Sequence, residues 1–264
     1  MVHFVTVATG DREQAAGLME SFARFGVSCV NLGAEKAYPA HGTKVVLLRE
    51  FLADKPELEI ICYVDAFDVL LIRDPIGIET AFEALKAEIV FYAEGYFTYK
   101  RNRFCRFRAK RRLPSRFWTN TEYRYLNAGC IVGYAGPLRN FLAALPVGAH
   151  TPCDQTPMVD YWIKNPSKLA LDFQQTLFTG TGGREGFEKE DFDFDSRSIR
   201  NRLTDTQPFF VHFPGKNWVG MNSFLDSWGA LRFRRRLEQI DMIRYQNNLK
   251  NNTRRLRSLG QAWI

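Results

Sequence analysis

The chain alternates between short apolar runs and stretches with apolar residues at helical spacing. The β-branched run Val2–Ala8 predicts a strand, and the apolar stripe across Glu13–Phe25, ended by Gly26, predicts a helix. The same patterns predict strands at Val27–Leu32, Glu59–Val64, Ile89–Ala93, Tyr125–Tyr134 and Pro208–His212, and helices at Thr43–Leu52, Glu79–Ala87, 136–145 and 154–164. Strands that alternate with helices in this way predict an α/β fold with a mostly parallel central sheet.

Length and composition indicate an ordinary folded protein. We expect one domain over residues 1–225, with a polar, basic insertion at about 95–124 and a basic helical extension over 226–264. Hydrophobic residues make up 45% and charged residues 25%, which excludes a wholly disordered or collagen-like chain. No apolar run reaches the about 18 residues that a membrane span needs, and the start does not resemble a signal peptide. The five cysteines include no C-x-x-C pair, so we expect a cytoplasmic protein without a disulfide framework.

Positive charge is concentrated in two segments. Residues 100–116 hold nine Lys/Arg and no acidic residue, and residues 226–264 are also basic. Aromatic residues lie among these cations, a combination typical of surfaces that bind single-stranded or flipped-out nucleotides. The alternative is a solvated basic loop and a basic tail helix that bind nothing. The candidate nucleic-acid contacts are Arg101, Arg103, Arg106, Arg108, Lys110, Arg111, Arg112 and Trp118.

Two carboxylates follow the apolar run Ile60–Val64. Asp65 and Asp68 are expected at the carboxyl end of a buried strand, where ligands bind in open α/β sheets. Spaced three apart in a turn, both can reach one hard divalent cation. The alternative is a turn in which one aspartate caps the next element. Burial of a carboxylate without a partner is costly, which favours the metal site.

Three further residues could complete such a site. His212 follows the last predicted strand, where a neutral imidazole could bind the metal, and Lys216 could pair with a phosphate on that metal. Asp154 opens a predicted helix, either as an N-cap or as a reactive carboxylate. The glycine-rich Thr179–Gly183 is not a G-x-G-x-x-G turn between strand and helix, which argues against dinucleotide binding. The sequence therefore predicts a metal–diphosphate site.

These motifs together resemble the glycosyltransferase domain of procollagen lysyl hydroxylases and of related viral and kinetoplastid sequences, a GT-A fold. The resemblance is carried, in the same order along the chain, by Thr6–Thr9, Thr43–Lys44, Val64–Asp68, Ala93–Glu94, Tyr125–Gly129, Asp154–Gln155, Val211–His212 and Lys216.

The resemblance implies a Mn²⁺ (or Mg²⁺) ion held by Asp65, Asp68 and His212 with the diphosphate of a UDP-sugar. It implies that the sugar and the acceptor lie near Asn127 and Asp154. Lys216 would assist the leaving diphosphate, and Asp154 would deprotonate the acceptor hydroxyl if the reaction inverts. The implied donor contacts are Thr6, Ala8, Thr9, Lys44, Asp65, Asn127, Gly215 and Lys216.

The acceptor is suggested by a departure from the collagen-modifying domain. That domain has a tryptophan-bearing loop after its Ala-Glu, whereas this chain continues with Gly95–Thr98 and the basic insertion. A basic loop repels a lysine-rich helix and attracts phosphates. This charge favours the viral and kinetoplastid branch of the family, in which the resemblance implies glucosylation of hydroxymethylated pyrimidines in DNA. We therefore expect transfer of a hexose, by preference glucose, to such a base. The alternatives are a protein hydroxyl such as hydroxylysine, or a nucleic-acid-binding module with a degenerate site.

Overall fold

The structure, a computed structural model, describes residues 1–9, 15–95, 123–180, 192–194, 199–214 and Met221. Most of the basic insertion and the whole of the extension 226–264 lie outside the described residues. The domain boundaries expected in those segments therefore stay predictions.

Strands and helices alternate through most of the described chain. The helices are α1 (Ala16–Arg24), α2 (Gly42–Leu52), α3 (Ile78–Ala84), α4 (Ala135–Ala143) and α5 (Gln155–Lys164). The strands are β1 (Val2–Thr6), β2 (Val30–Asn31), β3 (Ile60–Val64), β4 (Val69–Leu71), β5 (Ile89–Glu94), β6 (Tyr125–Tyr134), β7 (Ala170–Asp172), β8 (Phe178–Gly180), β9 (Phe192–Phe194), β10 (Ile199–Asn201) and β11 (Phe210–His212).

The central sheet of the described chain has six strands in the order β2-β1-β3-β6-β5-β7. Neighbours pair in parallel except at β6, which is antiparallel to both β3 and β5. The predicted α/β fold with a largely parallel sheet is confirmed. The reversed direction of β6 was not predicted, because a strand buried on both faces has the same apolar pattern in either direction.

The apolar residues of the sheet enter two cores, one on each face. Ile61 and Tyr63 of β3 pack with α2, α4 and α5, whereas Ile60, Cys62 and Val64 pack with α1, α3 and β4. Because side chains of a strand alternate between faces, one apolar run supplies both cores. Every residue of β3 is buried as a result.

A second, three-stranded sheet has the order β4-β11-β8. β11 pairs antiparallel with β4 and parallel with β8. Only β11 was predicted, because it ends the apolar run Pro208–His212, whereas the three residues of β4 and of β8 are too few to show a periodicity. This sheet brings the start of β4 next to the end of β11, which are far apart in the sequence.

Several predicted strands are shorter in the structure, and the second strand differs most. Instead of Val27–Leu32, only Val30 and Asn31 pair with β1, through Val5 and Thr6. The preceding residues close α1, since the Val27 N–H donates to the Phe22 carbonyl at 3.2 Å. Within the described residues, no helix has the length and apolar character needed to cross a membrane.

Candidate metal and donor site

The turn between β3 and β4 joins the two sheets. Asp65 directly follows β3, and its N–H donates to the Gly129 carbonyl of β6 at 2.7 Å. Asp68 directly precedes β4, and the Phe213 N–H donates to its carbonyl at 2.8 Å. Since β4 pairs with β11, this turn lies beside His212 at the end of β11.

The three predicted metal ligands converge. One ligand atom each from Asp65, Asp68 and His212 lies within 4.8 Å of the other two. His212 Nε2 and Asp68 Oδ1 are 3.5 Å apart, and the imidazole is buried while both aspartates are partly buried. The carboxylate oxygens suit Mn²⁺ or Mg²⁺, and the imidazole nitrogen in the same set favours a transition metal such as Mn²⁺. The residues present therefore fit a divalent cation.

The protonation equilibria of the cluster are shaped by its own charges. Burial opposes ionisation of Asp65, but the Lys44 ammonium, His212 and the Tyr63 hydroxyl outweigh burial and lower the pKa of Asp65. Burial likewise opposes a charged His212, but Asp68 first and then Asp65 raise its pKa. The aspartates thus create a negative field that favours a positive partner.

Lys44 of α2 connects this cluster to Asp154. Its Nζ lies 2.9 Å from Asp65 Oδ1 and 2.9 Å from Asp154 Oδ2. The Tyr63 hydroxyl donates to the same Asp65 oxygen at 2.6 Å. Burial lowers the pKa of Lys44, but Asp65, Tyr63 and Asp154 outweigh it and raise the pKa well above its ordinary value. The predicted nucleoside contact of Lys44 stays a prediction, and its ammonium is engaged by two carboxylates.

Asp154 lies at the start of α5. Its Oδ1 accepts the Gln155 N–H at 3.0 Å, and its Oδ2 pairs with Lys44. Only 6% of the residue is exposed. The structure therefore shows the capping role that the sequence left open. The role of general base stays a prediction.

A buried polar network lies beside the metal cluster, and its hydrogen bonds were not predicted although its residues belong to segments that carry the resemblance. Glu94, at the end of β5, accepts from Asn127 Nδ2 at 3.1 Å and from Gln155 Nε2 at 3.4 Å. Asn127 Oδ1 accepts the Gly129 N–H at 2.7 Å, so both ends of this amide are bonded within the protein. The predicted sugar contact of Asn127 stays a prediction. The position of Glu94 at a strand end was the available signal, the same one that identified Asp65.

The predicted nucleoside contacts lie at the end of β1. Thr6 is fully buried, and its hydroxyl donates to the Val64 carbonyl at 2.7 Å. The N–H and carbonyl of Ala8 bond to the Asn31 side chain at 2.8 and 2.9 Å, and Thr9 is partly exposed. Thr6 and Asn31 thus support the backbone here, and Asn31 was missed from the sequence. Donor contacts at Thr6, Ala8 and Thr9 stay predictions.

The other predicted contacts lie outside the described residues. These are Gly215, Lys216 and all the candidate nucleic-acid contacts, namely Arg101, Arg103, Arg106, Arg108, Lys110, Arg111, Arg112 and Trp118. Their roles stay predictions.

Comparison with known proteins shows the family. A family model described as the PLOD GT domain matches residues 1–228. Procollagen-lysine,2-oxoglutarate 5-dioxygenase 1 of Mus musculus is 27% identical over 235 residues, which cover 83% of this chain and 30% of the mouse protein. The Drosophila melanogaster procollagen-lysine,2-oxoglutarate 5-dioxygenase is 28% identical over 209 residues, which cover 73% of this chain and 26% of the fly protein.

Among solved structures, a Bacillus anthracis protein described as a glucose-1-phosphate thymidylyltransferase overlaps only loosely. It covers 64% of this chain and 66% of its own, with a TM-score of 0.38 and 9% identity. The family model, by contrast, matches most of the chain and includes all three residues of the metal cluster. The chain belongs to the family of PLOD glycosyltransferase domains.

Proposed function

We propose that this chain is a metal-dependent glycosyltransferase that moves a hexose from a UDP-sugar to a hydroxyl group on a protein, of the hydroxylysine type. The observation that carries the proposal is the convergence of Asp65, Asp68 and His212 in a member of this family. The matched relatives are procollagen-lysine enzymes by name, and they favour a protein acceptor over DNA. The chain spans less than a third of their length, so their substrates enter only as part of this proposal.

The described residues would have different roles in the transfer reaction. Asp65, Asp68 and His212 would hold the divalent cation, which supplies positive charge for the leaving diphosphate. Lys44 orients the Asp65 carboxylate through its 2.9 Å contact, aided by the Tyr63 hydroxyl. Both hold Oδ1 of Asp65, and among the hydrogen bonds of the described residues neither uses Oδ2, which could then face the cation.

The acceptor side of the site would be formed around Asp154. A general base needs an oxygen within hydrogen-bond reach of the acceptor hydroxyl. Asp154 Oδ2 lies 2.9 Å from Lys44 Nζ, and a carboxylate has enough lone pairs to keep this contact and also accept a proton. Asp154 would thus act as the base while Lys44 holds its carboxylate in place.

The proposal is tested by measuring UDP release from UDP-sugars in the presence of Mn²⁺. A hydroxylysine peptide should stimulate release, and the same peptide with unmodified lysine should not. Asp68→Asn should abolish the stimulation, whereas Asp74→Asn, at an aspartate that accepts the Ile76 N–H in an exposed turn, should leave it intact. Full activity in EDTA or in Asp68→Asn would refute the proposal.

DNA is the second candidate acceptor, on the strength of the charge of residues 100–116. This segment has nine Lys/Arg and no acidic residue, and each duplex phosphate it neutralised would contribute a log–log salt slope of about −0.9. Five such contacts would cost roughly 500-fold in affinity for a fourfold rise in salt. Stimulation by hydroxymethylated DNA, lost when serine replaces Arg106, Arg108, Lys110, Arg111 and Arg112, would make DNA the acceptor. A flat salt response without such stimulation would leave the protein hydroxyl.

A further inference from the structure

The imidazole of His212 packs against β6 at Gly129, which has no side chain. A Cβ atom on Gly129 would lie 2.3 Å from His212 Cε1 and 2.9 Å from its Nε2. Contacts this short do not occur between carbon atoms in folded proteins, where the preferred separation is about 3.5–4.0 Å. The imidazole therefore occupies space that is open only because residue 129 is glycine.

The histidine has little freedom to move away. The residue is 2% exposed, and the Tyr92 ring packs edge-on against it with the centroids 5.5 Å apart. The backbone of His212 is also close to β8, because its carbonyl oxygen lies 2.5 Å from the place that a Cβ on Gly180 would occupy. An added methyl group at position 129 would have to displace either the imidazole or β6.

Movement of β6 would disturb a second predicted ligand. The Gly129 carbonyl accepts the Asp65 N–H at 2.7 Å, and the Gly129 N–H donates to Asn127 Oδ1 at 2.7 Å. The register with β5 shifts here, since Tyr92 pairs with Asn127 whereas Phe91 pairs with Ile131. Gly129 thus lies in an irregular part of β6. Its carbonyl accepts the Asp65 N–H, and the imidazole of His212 occupies the space that a side chain at position 129 would need.

We propose that Gly129 is a positioning residue of the metal centre, which sets the separation of Asp65 and His212 by contacting both. The inference rests on the proposed function only in taking these two residues as ligands of one cation. A side chain at position 129 would move Nε2 of His212 away from the aspartates. Metal affinity should then fall, although all three ligands are still present in the chain.

The first test compares two glycine substitutions in the same strand. Gly129→Ala should weaken Mn²⁺ binding by at least about tenfold, as loss of groups that orient metal ligands does, when free Mn²⁺ is measured by electron paramagnetic resonance. Gly133→Ala is the matched control, because its Cβ would meet the Glu88 carbonyl at 2.8 Å and Leu138 Cγ at 3.1 Å, away from His212. It should keep the wild-type Mn²⁺ affinity within about twofold. Wild-type affinity in Gly129→Ala, or an equal loss in both variants, would overturn the inference.

The second test needs no metal and stays informative if Gly129→Ala folds poorly. Overpacking at position 129 should lower Tm by about 3–8 °C in a protein of this size. In a His212→Ala background the methyl group has room, and the same substitution should lower Tm by less than about 2 °C. Equal shifts in the two backgrounds would show that Gly129 and His212 are not coupled. A wild-type protein that binds no Mn²⁺ would instead refute the proposed function, and the Tm comparison would still decide the packing.

Discussion

Replacing Lys44 by methionine should leave two carboxylates without their counter-ion. The ammonium is the only cation joined to both Asp65 and Asp154 among the described ion pairs, at 2.9 Å each. Methionine retains the length of the apolar stem, so the substitution removes the charge and leaves the packing of α2 largely intact. The expected result is a large loss of stability without loss of the core.

The size of the loss follows from the burial of the two partners. Removing one member of a buried ion pair costs about 3–5 kcal/mol, because the other charge remains buried and unpaired. The Asp154 side chain is 8% exposed, whereas that of Asp65 is 24% exposed and can be partly hydrated. We therefore expect Lys44→Met to lower the free energy of unfolding by about 3–4 kcal/mol at pH 7.

The loss should depend on pH in a direction that follows from Asp65. In the wild type the pKa of Asp65 is lowered, so its ionised form stabilises the fold above the unfolded-state pKa of about 3.9 and loses this effect as the pH falls through the folded value. Without Lys44, burial favours protonation of Asp65, and a protonated carboxyl needs no counter-ion. The difference between variant and wild type should therefore be largest at pH 7 and should shrink toward about pH 4.5.

Urea unfolding of the metal-free protein at both pH values measures this. Lys164→Met, at an exposed position in the last turn of α5, is the matched control and should change stability by less than about 0.5 kcal/mol. Adding Asp154→Asn to Lys44→Met should recover part of the loss, because it removes one of the unpaired charges. A loss below about 1 kcal/mol, or one of equal size at both pH values, would refute the role assigned to Lys44.

Three further predictions concern the metal, the donor and the fold. Asp68→Ala should abolish detectable Mn²⁺ binding with Tm unchanged or raised. His212→Ala should weaken Mn²⁺ binding by about 10–100-fold and lower Tm, because it leaves a cavity where the buried imidazole packs; calorimetry measures both quantities. UDP should bind more tightly than GDP or ADP in the presence of Mn²⁺, and equal calorimetric affinities would remove the uridine assignment. Arg49→Ala should lower the free energy of unfolding by about 2–3 kcal/mol, because this half-buried guanidinium donates to three carbonyl oxygens at the end of α4 and in the loop after it. The exposed Lys168→Ala is its control, and equal urea midpoints would contradict the prediction.

Features encoded by neighbouring residues were predictable from the sequence. The apolar run of β3 and the two aspartates that follow it are adjacent, so strand and candidate ligands emerge from one short segment. Tyr125–Tyr134 was predicted with the bounds that β6 has in the structure, since nine of its ten residues are apolar or small and indicate a buried strand. His212 is distant from Asp65, and the order of motifs in the family resemblance supplied that link.

Features that depend on contacts between distant segments were not predictable in the same way. Nothing near Gly129 in the chain indicates that an imidazole 83 positions later needs the space of its side chain. Likewise Asp154 is a conventional helix cap by sequence, and its pairing with Lys44 arises only when α2 and α5 pack on the same face of the sheet. Three-residue strands such as β4 and β8 carry no periodicity, and they form because β11 lies between them. The residue types that could bind a cation are therefore recognisable in the sequence. The distances between their ligand atoms, which would let them bind the same cation, are set by the packing of the two sheets.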